Sequence, residues 1–363
     1  MLIFVIVVAV LCIGTFLFLQ QPVFGKDPAG TRLERIKKSS HYKDGSFQNA
    51  HDTPMLSPDA SYPKMMYNFF FGKSKNAEPD IRIPSVQTDL KALKEATPSI
   101  VWFGHSAYLI KINGKNFLMD PVLSGNASPV SFVGKSYPGA DVYTTDDFPE
   151  LDGVIISHDH YDHLDYKTIL KLKNKTKHFY TALGVGAHLV HWGIEEERIT
   201  EFDWWEDMDL GDRMKITATP ARHFSGRGLG RGKSFWASYV IQSPTHRIYL
   251  GGDSGYDDHF KAIGDKYGPF DIAFLECGQY NEQWPFIHMM PEQTVQASID
   301  LKAKVLMPVH WGKFTLAVHP WNEPIERATQ AADSLNVKLT TPKVGEPIIL
   351  DKSYPSEKWW RKK

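Results

Sequence analysis

The nine residues 157–165 constrain this chain more than any other segment. They read Ser-His-Asp-His-Tyr-Asp-His-Leu-Asp, and the short apolar strand predicted at 153–157 runs directly into them. Imidazole and carboxylate groups crowded in this way repel one another or lose solvation unless a cation lies among them. On an extended segment His158, His160 and Asp162 point to one side, and the following turn returns His163 to the same place. The pattern therefore predicts a divalent metal site at the end of a strand.

Three further residues of types that bind metals lie shortly after predicted strands. They are His223 in Pro-Ala-Arg-His-Phe, Asp253 in Gly-Gly-Asp-Ser-Gly-Tyr and His310 in Met-Pro-Val-His-Trp-Gly. Taken singly, each histidine is explained by core packing and the aspartate by an Asx turn. Taken together they favour one shared site, because two metal ions need more ligands than 157–165 can supply.

Beyond residue 98 the chain alternates apolar runs with turn signals. Asn113-Gly114 between two such runs is a strong hairpin signal, and Pro291 suits the first turn of a helix. We predict strands at 99–103, 107–112, 116–119, 153–157, 214–219, 236–241, 247–250, 271–275 and 305–309, and helices at 257–267, 291–301 and 322–335. Hairpin strands followed by strands that alternate with helices predict an α+β fold, with sheets packed face to face and helices outside.

The N-terminus carries a long apolar run. Residues 1–19 have no charge and are just long enough to cross a hydrocarbon layer of about 30 Å as a helix. A cleaved signal peptide is the alternative, but no Lys or Arg precedes the run and no small-x-small site follows it. We therefore expect an uncleaved transmembrane anchor over 1–21. Five basic residues within 26–38 follow the run, so the positive-inside rule predicts that the catalytic domain lies in the cytoplasm.

The remaining segments differ in composition. Residues 22–97 are rich in Pro, Lys, Asp and Ser with one apolar cluster at 65–71, so we expect an arm that covers one side of the domain at 98–350. Residues 351–363 form a basic C-terminal tail. The 41 Lys and Arg balance 42 Asp and Glu, which argues against the basic surface that nucleic acid requires. The two cysteines, Cys12 and Cys277, exclude a disulfide framework.

Several motifs together resemble the metallo-β-lactamase superfamily and, within it, the phospholipases D that hydrolyse N-acylphosphatidylethanolamine. They are Trp-Phe-Gly-His-Ser at 102–106, Asp-Pro at 120–121, Ala-Ser-Pro at 127–129, the segment 157–165, Asp-Trp-Trp-Glu at 203–206, Gly-Pro-Phe-Asp at 268–271 and His-Trp-Gly-Lys-Phe at 310–314. The resemblance runs from about 98 to 346. It implies an αββα four-layer sandwich, the metallo-β-lactamase fold, with two zinc ions per chain; other divalent metals are the alternative.

The resemblance also implies roles for single residues. One zinc would be bound by His158, His160 and His223 and the other by Asp162, His163 and His310, with Asp253 bridging the two ions. Asp162, Asp253 and His288 would take part in catalysis, and Tyr161 and His288 would contact substrate. Beside the ligands, His105 and Asp165 are expected to hold them in place. The chain departs from the family at 275–280, where Leu-Glu-Cys-Gly-Gln-Tyr replaces an apolar stretch and alters the expected pocket wall.

The activity implied is that of a zinc-dependent phosphodiesterase that cleaves N-acylphosphatidylethanolamine or a related phospholipid to phosphatidic acid and an N-acylethanolamine. A lactonase or other ester hydrolase is the alternative, because the metal ligands do not distinguish a carbonyl from a phosphate. A metal-binding interaction protein is disfavoured, since a structural zinc needs only four ligands. The expected partners are a phospholipid substrate and a membrane, with no nucleic acid, and a homodimer remains open. The glycine-rich segment 226–233 lacks a P-loop signature and is expected to form a mobile basic flap.

Overall fold

The computed structural model describes residues 1–72, 74–94 and 97–362. Within these ranges the chain forms fifteen strands and eight α-helices, together with five short 3₁₀ helices. The strands are β1 (Tyr42–Lys43), β2 (Ser46–Phe47), β3 (Ser99–Trp102), β4 (Tyr108–Ile112), β5 (Lys115–Met119), β6 (Leu151–Ile156), β7 (Thr176–Ala182), β8 (Ile199–Phe202), β9 (Asp207–Gly211), β10 (Met214–Thr219), β11 (Ser238–Gln242), β12 (Arg247–Leu250), β13 (Ile272–Glu276), β14 (Leu306–Val309) and β15 (Pro347–Ile349). The helices are α1 (Leu2–Leu19), α2 (Gly30–Ile36), α3 (Tyr62–Phe71), α4 (Tyr166–Leu172), α5 (Gly186–His191), α6 (His259–Tyr267), α7 (Pro291–Asp300) and α8 (Glu323–Leu335).

Two large mixed sheets carry the fold. The first has the strand order β15-β3-β4-β5-β6-β7-β8 and the second the order β14-β13-β12-β11-β10-β9. In the first sheet β3 to β5 are antiparallel neighbours and β5 to β8 are parallel. In the second β9 to β12 are antiparallel and β12 to β14 are parallel. The short pair β1 and β2 forms a separate hairpin.

The two sheets pack face to face. Between them the rings of Tyr108 and Phe274 stack with their centroids 4.1 Å apart. The hydroxyl of Tyr239 in β11 donates to the carbonyl of Ile156 in β6 at 3.0 Å. Helix α7 packs with α8 and contacts β13 and β14 of the second sheet, and α5 contacts β8 of the first. This arrangement is the αββα sandwich that the sequence predicted, because each sheet buries one face on the other and the second face under helices.

Local sequence explains several element bounds. Asn113 and Gly114 join β4 to β5 with φ angles of +50° and +72°, as a two-residue hairpin turn requires. Helix α7 begins at Pro291, and α8 ends before Asn336, which takes the left-handed conformation. Strands β7, β8, β9 and β15 and helices α4 and α5 were not predicted. Several of them are short or carry polar residues, so their tertiary neighbours rather than their own pattern place them.

The sandwich brings strand ends together. Because β5 and β6 are parallel, residue 120 and the segment 157–165 leave the same edge of the first sheet. Because β12, β13 and β14 are parallel, Asp253, Glu276 and His310 lie at or just beyond one edge of the second sheet. His223 follows β10. The predicted ligands therefore meet at one end of the sandwich.

Helix α1 is exposed along its length and is long and apolar enough to cross a membrane, with a mean hydropathy of 3.2. The residues just after it dock on the domain. The carbonyl of Pro22 accepts from the indole of Trp192 at 2.7 Å. The carbonyl of Val23 accepts from the Arg227 guanidinium, and the backbone N–H of Lys26 donates to His188. The residues after this candidate span are therefore held against α5, the residue that follows α5, and the segment 226–233.

The arm and the C-terminal residues pack on the sandwich. In the arm, Ile36 is fully buried and the ring of Phe47 stacks on Phe235 at 4.4 Å. Residues 351–362, the described part of the basic tail, bury Trp359 and Trp360. Both segments thus add apolar contacts to the domain at 98–350.

Candidate metal centre

The first group of predicted ligands is His158, His160, His223 and Asp253. One ligand atom from each of them lies within 4.8 Å of the others. His158 Nε2 is 2.9 Å from His160 Nδ1, and His223 Nε2 is 3.3 Å from the same nitrogen. The structure therefore brings together three imidazoles from two loops, one after β6 and one after β10, with a carboxylate beside them. This donor set suits a divalent transition metal.

The second group is Asp162, His163 and His310, with His105 beside them. His163 Nε2 lies 3.4 Å from Asp162 Oδ2. His105 Nε2 lies 2.9 Å from that same oxygen, so His105 holds Asp162 in its orientation. His310 comes from the loop after β14, and its ring lies over that of His163 at 5.2 Å.

Asp253 lies between the two groups. Its Oδ2 is 3.7 Å from His223 Nε2 in the first group and 3.1 Å from His163 Nε2 in the second. Its Oδ1 is 3.1 Å from His310 Nδ1. Among the described residues, the buried atoms His163 Nε2 and Asp253 Oδ1 have no hydrogen-bond partner. A buried polar atom without a partner costs folding free energy unless a bound ligand becomes its partner. These residues therefore fit a pair of bound cations.

The surroundings of three ligand histidines and of Asp253 favour the protonation states that metal binding requires. Burial lowers the pKa of His158, His223 and His310 well below the ordinary value, so these imidazoles are neutral. Burial raises the pKa of Asp253, but the neighbouring imidazoles, His163 first, outweigh it and hold that pKa well below its ordinary value. Neutral imidazole and ionised carboxylate are the forms that coordinate a metal. His163 differs, because burial lowers its pKa but the carboxylates of Asp253, Asp162 and Asp120 outweigh burial and raise it well above its ordinary value. A metal ion bound there would displace that proton.

A carboxylate of the Asp-Pro motif at 120–121, for which the sequence predicted no role, holds a ligand histidine. Asp120 is fully buried just after β5, and its Oδ2 lies 2.8 Å from His163 Nδ1. Its two oxygens also accept from the backbone N–H and hydroxyl of Ser157. The expectation that Asp165 does this is wrong. Asp165 instead caps α4, where it accepts from Lys167 N–H, and bonds Ser124 and Thr168.

We expect Asp120→Asn to weaken metal binding by about 10- to 100-fold, because a carboxylate behind a ligand histidine fixes its ring and raises its basicity. Asp165→Asn is the matched control and should leave metal affinity unchanged, since its bonds stay within the start of α4 and the nearby loop. Titration against a chromophoric chelator measures both affinities. Equal losses in the two variants would contradict the role given to Asp120.

Three residues of the loops around the ligands have an unusual backbone conformation. His105, Asp120 and His310 have φ angles of +55°, +37° and +67°, a region that non-glycine residues rarely adopt. The two histidine loops hold each other, because His310 N–H donates to the carbonyl of His105 at 3.0 Å and His105 N–H donates to that of Trp311. Such conformations persist where the surrounding structure over-determines them, which is typical of functional sites.

A cavity of about 290 Å³ opens onto both groups. His160, Asp162, Asp253 and His310 line its floor. Its walls are mostly apolar and include Met55, Leu56, Met65, Phe224, Trp284 and Leu316. The first three of these come from the N-terminal arm, so the arm forms part of the candidate active site.

Of the two expected substrate contacts, the structure places one at the cavity. His288 lines it, and its ring lies 5.0 Å from that of His223. Tyr161 is not among the described residues that line the cavity. Its hydroxyl donates to the carbonyl of Arg227, and the Arg227 guanidinium lies over its ring at 4.2 Å. The structure therefore gives Tyr161 a packing contact at this position.

The basic segment 226–233 is held at both ends. Gly226 N–H donates to the Asp159 carboxylate, and the carbonyl of Gly232 accepts from Phe47 N–H. Arg227 is only 4% exposed, and its guanidinium donates to the carbonyls of Asp159, Leu164 and Val23. The expectation of a mobile flap therefore does not hold for Arg227 or for the two ends of the segment. Arg231 is exposed and lines the cavity.

Comparison with known proteins identifies the family to which this chain belongs. A model of the β-lactamase superfamily domain matches residues 115–311. An uncharacterised protein of Mycobacterium tuberculosis is 38% identical over 341 residues, which cover 93% of this chain and 91% of that protein. The chain belongs to the metallo-β-lactamase superfamily.

Within the superfamily the chain resembles the N-acylphosphatidylethanolamine-hydrolysing phospholipases D. One such enzyme of Caenorhabditis elegans is 30% identical over 247 residues, which cover 64% of this chain and 69% of that enzyme. A metallo hydrolase of the archaeon Ignicoccus hospitalis shares the fold, with a TM-score of 0.55, 20% identity, and coverage of 71% of this chain and 100% of that chain. The protein is a metal-dependent hydrolase of this superfamily.

Proposed function

We propose that this metallo-β-lactamase superfamily hydrolase is a phosphodiesterase of the phospholipase D type. Its substrate is N-acylphosphatidylethanolamine or a related phospholipid, and its products are phosphatidic acid and an N-acylethanolamine. The observation that carries the proposal is the apolar cavity wall above the two ligand groups. The part of that wall supplied by Met55, Leu56 and Met65 belongs to the arm that follows the candidate membrane span.

The ligand groups suit phosphate chemistry. Divalent ions bound there, zinc in this proposal and two per chain, would neutralise charge on a phosphate oxygen and lower the pKa of a bound water. His158, His160 and His223 would hold one ion, and Asp162, His163 and His310 the other. Asp253 would contribute to both, because its oxygens face imidazoles of the two groups.

The other cavity residues suit the rest of a phospholipid. Met55, Trp284 and Leu316 offer apolar surface to an acyl chain. The Arg231 side chain lines the same cavity and supplies positive charge for a phosphate group. His288 lies beside the ligands, where an imidazole can donate a proton to the ethanolamine oxygen as its bond to phosphorus breaks.

The candidate span supports a membrane-bound substrate. Phe24, directly after it, lies edge-on to the ring of Tyr161 with centroids 6.3 Å apart. A span that ended here would hold the metal-ligand loop 157–165 close to the membrane surface. The basic residues that follow the span favour a cytoplasmic catalytic domain in this proposal.

The test is the fate of the water oxygen. Full-length protein loaded with zinc is incubated with vesicles that contain N-acylphosphatidylethanolamine in ¹⁸O-labelled water, and the products are identified by mass. We expect N-acylethanolamine without label and phosphatidic acid with one ¹⁸O on phosphate. Asp253→Asn protein, prepared in the same way, controls for contaminating lipases.

Two outcomes would overturn the proposal. Label on a released fatty acid would show attack at a carbonyl, as expected of an ester hydrolase or lactonase. The absence of both products with protein that holds two zinc ions would exclude this phospholipid as the substrate.

A further inference from the structure

Glu276 is a buried carboxylate at the candidate active site to which the family resemblance gives no role. It is the last residue of β13 and is 1% exposed. Its Oε1 accepts from the backbone N–H groups of Ser254 and Met289, each at 3.0 Å. Its Oε2 lies 2.6 Å from Nδ1 of His288. One side chain thus joins the loop after β12, which carries Asp253, to the loop before α7, which carries His288.

These contacts distinguish Glu276 from the metal ligands. It lies in a group of ligand-type residues with Asp253, His288 and His310. Both of its oxygens, however, already face donors of the protein, whereas Asp253 Oδ1 has no partner among the described residues. A carboxylate paired in this way orients its neighbours, as carboxylates behind histidines commonly do.

We propose that Glu276 is a positioning residue that keeps a proton on Nδ1 of His288, so that Nε2 is the nitrogen presented to substrate. This inference rests on the proposed phosphodiesterase for its catalytic consequence. There, Nε2–H gives its proton to the ethanolamine oxygen as the bond from that oxygen to phosphorus breaks. Before the transfer the ring carries N–H at both nitrogens and a positive charge; after it the ring is neutral and keeps Nδ1–H bonded to Glu276. Water supplies the new oxygen on phosphorus, and the proton that it releases restores Nε2–H.

The substitution Glu276→Gln tests this without removing volume. The two backbone N–H groups of Ser254 and Met289 require an acceptor, so the amide oxygen takes the place of Oε1. The amide NH₂ then faces His288 Nδ1 and donates to it. Nδ1 must therefore give up its proton, and Nε2–H becomes the only N–H of a neutral ring, which is a much weaker proton donor than the doubly protonated ring. In serine proteases, replacement of the carboxylate that pairs with the catalytic histidine by an amide of the same shape lowers turnover about 10⁴-fold through this change of tautomer.

The first measurement is independent of substrate. Full-length, zinc-loaded protein with ¹⁵N-labelled histidine is studied by NMR, and the His288 signals are assigned by their loss in His288→Ala. We expect Nδ1 to be protonated in the unsubstituted protein and unprotonated in Glu276→Gln. Glu282→Gln, which makes the same change at an exposed residue six positions later, should leave the His288 spectrum unchanged. An unprotonated Nδ1 in the unsubstituted protein, or the same state in both, would overturn the proposal.

The second measurement is a double-mutant cycle on hydrolysis of N-acylphosphatidylethanolamine in vesicles. We expect Glu276→Gln and His288→Ala each to lower kcat by about 10²-fold or more. In the His288→Ala background, Glu276→Gln should have no further effect, because it acts through the missing ring. Equal losses in both backgrounds would show that Glu276 acts through the backbone and would overturn the proposal. If the unsubstituted protein does not cleave this lipid, the proposed function fails, and the NMR result alone decides the role of Glu276.

Discussion

Asp253→Asn should abolish hydrolysis while the chain remains folded. The carboxylate of Asp253 lies between the two ligand groups, with Oδ2 3.1 Å from His163 Nε2 and Oδ1 3.1 Å from His310 Nδ1. An amide keeps the shape but removes the negative charge that two cations would share. Loss of several kcal/mol of transition-state stabilisation corresponds to a decrease of about 10³-fold or more in kcat. Steady-state kinetics, with metal content measured on the same sample, gives the result.

Asp258→Asn is the matched control for that variant. Asp258 lies five residues further along the chain, and its side chain is exposed. This substitution should change neither metal content nor kcat. An Asp253→Asn protein that retains two ions and full activity would contradict the bridging position of Asp253.

Removal of the metal should abolish activity and lower the melting temperature. Without cations, the buried atoms His163 Nε2 and Asp253 Oδ1 have no partner among the described residues. Ions that bind only the folded chain stabilise it by about 4 kcal/mol when free metal exceeds Kd 1,000-fold. For a domain of this size that corresponds to a shift of several degrees. Calorimetry of full-length protein before and after dialysis against a chelator measures the shift.

Re-addition of zinc should restore both activity and melting temperature, and metal analysis of the loaded protein should give about two ions per chain. Reloading with magnesium is the control, because imidazole-rich sites bind it poorly. Less than one ion per chain in loaded protein, or an unchanged melting temperature, would contradict the assignment of this cluster as a metal centre.

Individual residues show how much of the candidate site the local sequence pattern predicts. The seven predicted ligands lie together in the structure because each follows a strand, and apolar strands are visible in the sequence. Asp120 and Glu276 obey the same rule, since one directly follows β5 and the other ends β13. A search of every strand end for carboxylates, not only of the histidine-rich ones, would have found both. Asp165 was misassigned because it is close in sequence to the ligands, although its side chain caps α4.

The sequence by itself determined the types of metal ligand, their order along the chain, the α+β class and the candidate span. These features depend on side-chain chemistry and on periodicity over a few residues. The tertiary structure alone decided that Asp120 rather than Asp165 contacts His163, that Tyr161 packs under Arg227, and that Glu276 bonds His288. These contacts join residues of different strands or loops, so they follow from the order of strands in each sheet and from the packing of the two sheets. The spacing of residues along the chain specifies neither the strand order nor the packing of the two sheets.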